Sequence, residues 1–88
     1  MGLTFIKLGR IEQALEYFDK LIELDYEKPK AFYHKARCYS LLNNIDLTLE
    51  NLQQAINLNP KSCLEWAITD DDFDNIRFDV RFQALVGS

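Results

Sequence analysis

An all-α chain of helix–turn–helix repeats, closed by a terminal capping helix, is the fold class this sequence predicts, and three observations predict it. The 88-residue sequence matches itself when shifted by 34 positions. Within each copy the apolar residues recur every three or four positions, the spacing that gathers them on one face of a helix. Gly, Asn and Pro stand where one helix must stop and the next begin.

The register comes first because a missed repeat misassigns the whole fold. At the 34-residue offset Leu8 falls on Leu42, Ile11 on Ile45, Leu15 on Leu49, Ile22 on Ile56 and Leu24 on Leu58. Phe5 meets Tyr39, Phe18 meets Leu52, and Phe32 meets Trp66. The quantity preserved is apolar size at fixed offsets, which is what stacked helical units need. The predicted segments are 1–28, a partial repeat; 29–62, a complete repeat; and 63–88, a capping helix with an acidic closing tail.

Each element follows from its residues. Ile11, Ala14, Leu15, Phe18, Leu21 and Ile22 form an apolar stripe, with Glu12, Glu16, Asp19, Lys20 and Glu23 opposite, so a helix is expected over 11–25. A helix of a second type is expected over 30–42, burying Ala31, Phe32, Ala36, Cys38 and Tyr39 wholly or in part. Ile45, Leu49, Leu52, Ala55 and Ile56 repeat the first stripe. Gly9 and Asn43 occupy matched breaks and suit the left-handed residue that ends a helix. Pro29 opens the second unit, where its missing N–H costs nothing. Ser62-Cys63-Leu64-Glu65 reads as a capping box that opens a further helix after Pro60. Strand alternation is absent and β-branched residues are few.

Composition narrows the function. No apolar run approaches the ~20 residues of a membrane-spanning helix, and no charged-then-apolar start resembles a signal peptide. Cys38 and Cys63 lack zinc-site pairing and are expected to be reduced thiols in a cytoplasmic protein. The net charge of −4 sits wholly in residues 63–88, where Arg77 and Arg81 face Glu65, Asp70, Asp71, Asp72, Asp74 and Asp79. Such a chain is poorly made for nucleic acid, which requires a basic stripe to displace counterions. Lys28, Lys30, Lys35 and Arg37, with His34 among them, make one local basic segment.

With these residues assembled, the chain resembles a tetratricopeptide repeat protein. Phe32, Ala36 and Tyr39 match the first helix of that family's repeat, and Leu52, Ala55, Leu58, Asn59 and Pro60 its second. Upstream, Gly2 falls at the small-residue crossing position, and Leu8, Gly9, Ala14, Leu15, Phe18, Leu24 and Asp25 match as well. Thr48, Lys35 and Tyr26 depart from the pattern: Thr is small, and a Lys stem can pack while its amine reaches water. The tail from Phe73 to Leu85 resembles the closing segment of bacterial repeat proteins of this kind, with Val80 where Pro is common. The resemblance implies a short right-handed solenoid, with Phe73, Ile76, Phe82 and Leu85 laid over the last repeat helix and acidic residues outward. Gly2 at a mid-helix position implies a shortened first helix, so that Met1 is a late start or the boundary of a longer array. The face of the first unit then needs cover, and homo-oligomerisation through it is one way to obtain it.

No catalytic, metal or cofactor site is expected. Asp70, Asp71, Asp72 and Asp74 lack the alternation, Gly and distal Glu of a calcium loop, and read instead as an acidic helix stop with one Asp capping the next turn. His34 has no nucleophile or orienting acid in its motif and reads as a helix-surface residue. The recurring aromatics Phe5, Phe18, Phe32, Tyr39 and Trp66 read as core. What is left is a surface: by the resemblance, the first helix of each unit lines a concave groove that takes a peptide or partner protein. In the complete repeat the lining positions are Lys30, Tyr33, Arg37 and Ser40, and in the next unit Ala67 and Asp71. An Arg and a Lys flanking a Tyr suit an acidic, carboxylate-bearing partner. Two alternatives stand beside this reading: a solvated basic face with no ligand, in a chain that caps or oligomerises a larger protein, and metal chemistry at the Asp cluster.

Overall fold

The computed structural model describes residues 2–87, and Met1 and the crossing contact expected at Gly2 lie outside the described residues and side chains. In chain order come α1 (Gly2–Lys7), α2 (Ile11–Glu23), α3 (Lys28–Leu41), α4 (Ile45–Leu58), α5 (Pro60–Thr69), a 3-10 helix (Asp71–Ile76) and α6 (Val80–Val86). The described residues contain helices and turns and no strand, as the periodicity predicts.

Local chemistry sets the breaks. Gly9 and Asn43 take positive φ, 75° and 61°, at the matched positions where α1 and α3 end. That is the left-handed geometry in which Gly and Asn are tolerated. Asn44 then caps α4, its Oδ1 accepting from Leu47 N at 3.2 Å. Pro29 sits in the first turn of α3 as expected. The last helix of the repeat region differs from expectation: α5 begins at Pro60, not Cys63, and its cap is Asn59 rather than Ser62, with Asn59 Oδ1 accepting from Ser62 N at 3.5 Å. Pro at the first helical position fixes φ where no N–H is needed, so the helix starts one cap earlier than the Ser-x-x-Glu pattern suggests.

α3 is the central rod. Through Ala31 and Cys38 it packs on Ile6, Ala14 and Phe18, with Phe5, Ile11, Leu15, Leu21 and Ile22 around them. Through Tyr33 and Ala36 it packs on Leu52, Ala55, Ile56, Cys63 and Ala67. Ala14, Ala36, Ala55 and Ala67 are fully buried, because only a small side chain lets helices cross this closely. Phe73, Ile76 and Phe82 close the second cluster, with Leu85 packed against it, so the tail does cover the last repeat helices.

Two of the pattern's departures find a partner, while Tyr26 and Val80 stay exposed. Thr48 is buried, and its Oγ1 donates to Asn44 O at 2.7 Å. The Lys35 stem packs, but its amine meets Asp19 at 2.6 Å rather than open water. Of the aromatics expected in the core, Phe18 is buried and Phe5, Phe32 and Tyr39 are half-buried, while Trp66 is exposed at the mouth of the groove described next.

Candidate functional site

A groove of about 610 Å³ runs between α2, α3 and the end of α5. Tyr17, Phe18 and Leu21 contribute from α2; Lys30, Ala31, Tyr33, His34 and Arg37 from α3; Trp66, Thr69 and Asp70 from the chain around the end of α5. Its rings form a continuous wall. Tyr17 meets Phe18 edge-on at 5.5 Å, Phe18 meets His34 at 5.2 Å, His34 meets Tyr33 at 5.6 Å, and Tyr33 meets Trp66 at 5.3 Å between centroids. Such spacings give each pair attraction beyond its buried area.

Of the four residues predicted to line the groove, Lys30, Tyr33 and Arg37 do, while Ser40 is fully buried behind it. Lys30 is exposed, its amine 3.7 Å from Glu27 at the rim. Tyr33, Arg37 and Ser40 are engaged by the chain's own acidic turn. The Tyr33 hydroxyl donates to Asp70 Oδ2 at 2.7 Å. Arg37 Nε and Nη2 reach Asp72 Oδ2 at 2.8 and 2.7 Å, and Nε lies 3.3 Å from Asp70 Oδ2. The buried Ser40 hydroxyl donates to the Asp72 carbonyl at 2.6 Å, and Asn75 Nδ2 donates to Ser40 O at 3.3 Å.

This corrects the outward placement of the tail's acids. α5 stops at Thr69, and Asp70 caps the 3-10 helix by accepting from Asp72 N at 3.0 Å, as the acidic stop predicts. Yet Phe73 is buried between Tyr33 and Phe82, with centroids 5.7 Å away on each side. Seating that ring turns the Asp70 and Asp72 carboxylates onto α3. Asp71 and Asp74 stay exposed. The lining expected at Ala67 and Asp71 moves for the same reason: Ala67 is core, Asp71 lies beyond the helix end, and Trp66 and Asp70 face the groove instead.

Electrostatics follow from this packing. His34 is half-buried rather than a surface residue, and burial together with the Arg37 charge lowers its pKa to about 4. Arg37 Nη1 lies 3.1 Å from His34 Nδ1. A guanidinium can only donate, so Nδ1 accepts and the ring proton sits on Nε2. Burial, and then the bond to Asp70, raise the Tyr33 pKa and keep its phenol protonated. Cys38 and Cys63 are free and buried; burial pushes the Cys38 thiol up to about 11 and raises Cys63 as well. Thiols held in this state are poor nucleophiles. Among the described residues no three His, Cys, Asp or Glu gather as metal ligands, and no helix is long and apolar enough to cross a membrane.

Sequence reasoning missed Asp70 and Asp72 as partners of Arg37, and Tyr17 and Trp66 as groove wall. The signal for the first was present: one basic segment and one acidic segment stand 35 residues apart, close to one repeat length. Tyr17 and Trp66 meet the groove only once α2, α3 and α5 are packed, which spacing alone does not set.

Comparison with known proteins agrees with the architecture. The tetratricopeptide repeat family model matches twice, over residues 1–28 and 29–62. The Sol locus transcriptional repressor of Clostridium acetobutylicum is 29% identical over 80 residues, which cover 84% of this chain and 25% of that protein. A chloroplastic protein of Arabidopsis thaliana is 36% identical over 87 residues, 96% of this chain and 23% of its own length. Tetratricopeptide repeat protein 36 of Caenorhabditis elegans is 30% identical over 57 residues, 65% of this chain and 32% of its own. The chain thus spans about a quarter of the length of the first two relatives. No solved structure matches it. Two tandem matches over most of the chain, on helices that break at the same offsets, place it: the chain belongs to the tetratricopeptide repeat family.

Proposed function

We propose that the chain is a non-enzymatic interaction module that receives a peptide or a segment of a partner protein in the groove between α2, α3 and α5. Tetratricopeptide repeats generally mediate protein–protein interaction. The observation that carries the reading here is the ring wall from Tyr17 to Trp66 along an open groove, with Lys30 at its rim. Of these rings Tyr17, His34 and Trp66 keep exposure, and aromatic side chains offer contact area at low entropic cost, which suits recognition of a short segment. Lys30 at the rim, held only loosely by Glu27 at 3.7 Å, is the cation an acidic segment would meet first. Cys38 and Cys63, free and unpaired, support a reducing compartment such as the cytoplasm.

Trp66 is the single tryptophan of the chain, so its emission reports on the groove directly. A panel of acidic, neutral and basic peptides titrated against the protein should shift that emission for at least one class. Tyr17→Ala should weaken the same response roughly tenfold, the scale of one lost aromatic contact. Silence across the whole panel, with helical content intact, removes the groove from the account.

A second reading has its own observation. Leu24 and Tyr26, in the turn that follows α2, are 72% and 59% exposed, an apolar pair without cover in the monomer. That supports a role as an oligomerising or capping element of a larger assembly. Light scattering across a hundredfold concentration range decides it: a constant monomer mass counts against assembly through this turn.

A further inference from the structure

We infer that the acidic turn Asp70–Asp72 is a built-in ligand of the α3 basic stripe, and that an acidic partner binds this site only in competition with it. The inference rests on the groove being a binding surface, as proposed above, and adds how that surface is regulated and which charge it reads.

The geometry is that of a bound peptide. Asp70 accepts from the Tyr33 hydroxyl at 2.7 Å and lies 3.3 Å from Arg37 Nε, and Asp72 accepts from Arg37 at 2.8 Å. A main-chain carbonyl is read as well, by Ser40 at 2.6 Å. The next residue, Phe73, fills an apolar seat beside Tyr33. Within the chain the stripe is met by acid, any residue, acid, aromatic, as Asp70-Asp71-Asp72-Phe73, and since Phe73 stays seated in the core a competing segment is read by its carboxylates alone. Three of the four residues that the sequence nominates for an acidic partner are thus already satisfied. Charge-assisted pairs of this kind are the strong ones, and the fork of Arg37 gives them direction.

The site is closed without being sealed. The side chains of Arg37, Asp70 and Asp72 keep 20%, 21% and 26% of their exposure, and Arg37 and Asp70 form part of the groove wall. Phe73, Ile76 and Phe82 anchor the backbone of the tail in the core. Competition therefore concerns the two carboxylates, which can rotate off Arg37 while the cap stays in place. A tethered ligand is always present at its site, so a free acidic segment gains it only by binding more tightly or at a higher concentration than the tether supplies. Anything that draws the carboxylates away opens it.

The test uses the full chain and a fluorescein-labelled peptide of sequence Thr-Asp-Asp-Asp-Phe-Asp-Asn-Ile, a copy of the built-in ligand. Anisotropy is read for wild type, for D70N/D72N and for D70N/D72N/R37A. The Asn variants keep side-chain size and can still hydrogen-bond, and circular dichroism checks each fold. D70N/D72N should bind at least tenfold tighter than wild type, weaken with added salt, and lose the gain in the triple variant. Equal binding by wild type and D70N/D72N overturns the inference. A Trp66 response to other peptides in the same D70N/D72N protein would then show the groove intact, so that only the built-in-ligand claim fails; silence there as well would take the groove reading with it.

Discussion

The Arg37–Asp72 pair is the contact on which the architecture of the groove turns, and its worth can be worked from the structure. Nε and Nη2 of Arg37 both reach Asp72 Oδ2, at 2.8 and 2.7 Å, and the two side chains are 20% and 26% exposed. An exposed ion pair contributes about 0–1 kcal/mol. Removing one partner of a fully buried pair costs about 3–5 kcal/mol, since the other charge is left uncompensated. This pair lies between, nearer the buried limit, and Asp70 also leans on the same guanidinium at 3.3 Å. Arg37→Ala is therefore expected to lower stability by about 2–3 kcal/mol, a fall in Tm of roughly 10–20 °C for a domain of this size. Loss of the Arg stem contributes to that figure, so the informative quantity is the coupling in a double-mutant cycle with Asp72→Ala. Urea unfolding followed by circular dichroism should give a coupling of about 1–2 kcal/mol, reduced in high salt. A coupling below about 0.3 kcal/mol in low salt would mean the pair is an ordinary solvated contact, and the closed-stripe reasoning would be refuted.

Other outcomes follow from single features. Phe73→Ala should cost about 3–4 kcal/mol in the same urea assay, because the ring is fully buried between Tyr33 and Phe82, and a loss under 1 kcal/mol would place the tail off the core. Gly9→Ala should cost only about 1 kcal/mol: φ is +75°, but nothing lies within 4 Å of an added Cβ, so the penalty is that of the backbone alone. His34 titrates near 4 in the folded chain against about 6.5 unfolded, so between these values the unfolded state binds more protons and stability falls as pH drops. His34→Gln should flatten that part of the stability–pH curve, and an unchanged slope would assign it to the carboxylates.

Much of the fold was legible because repeats encode themselves twice. Gly9 and Asn43 mark one break in two copies, and the stripe of Ile11, Leu15 and Phe18 returns as Ile45, Leu49 and Leu52, so each copy checks the other. The buried tail residues Phe73, Ile76 and Phe82 were legible from the family's closing segment. What was not legible is where the acids point. Asp70 and Asp72 look like a solvated run in sequence, and their direction is set only when Phe73 is seated against Tyr33, a contact forty residues away in the chain. The start of α5 was misplaced because Asn59 and Ser62 are both competent caps, and the choice depends on Pro60 being accepted as the first helical residue. Trp66 was read as core by analogy with Phe32, whereas the tail that buries Ala67 leaves the neighbouring indole at the groove mouth.

The central claim is that residues 70–73 lie against Tyr33, Arg37 and Ser40 rather than in water, and side-chain NMR addresses it most directly. The account predicts nuclear Overhauser contacts between the rings of Tyr33 and Phe73, and a slowly exchanging Arg37 Nε–H resonance that is lost in Asp72→Asn. Random-coil shifts over 70–73, with an Arg37 Nε–H that exchanges as fast as that of a free arginine, would contradict it.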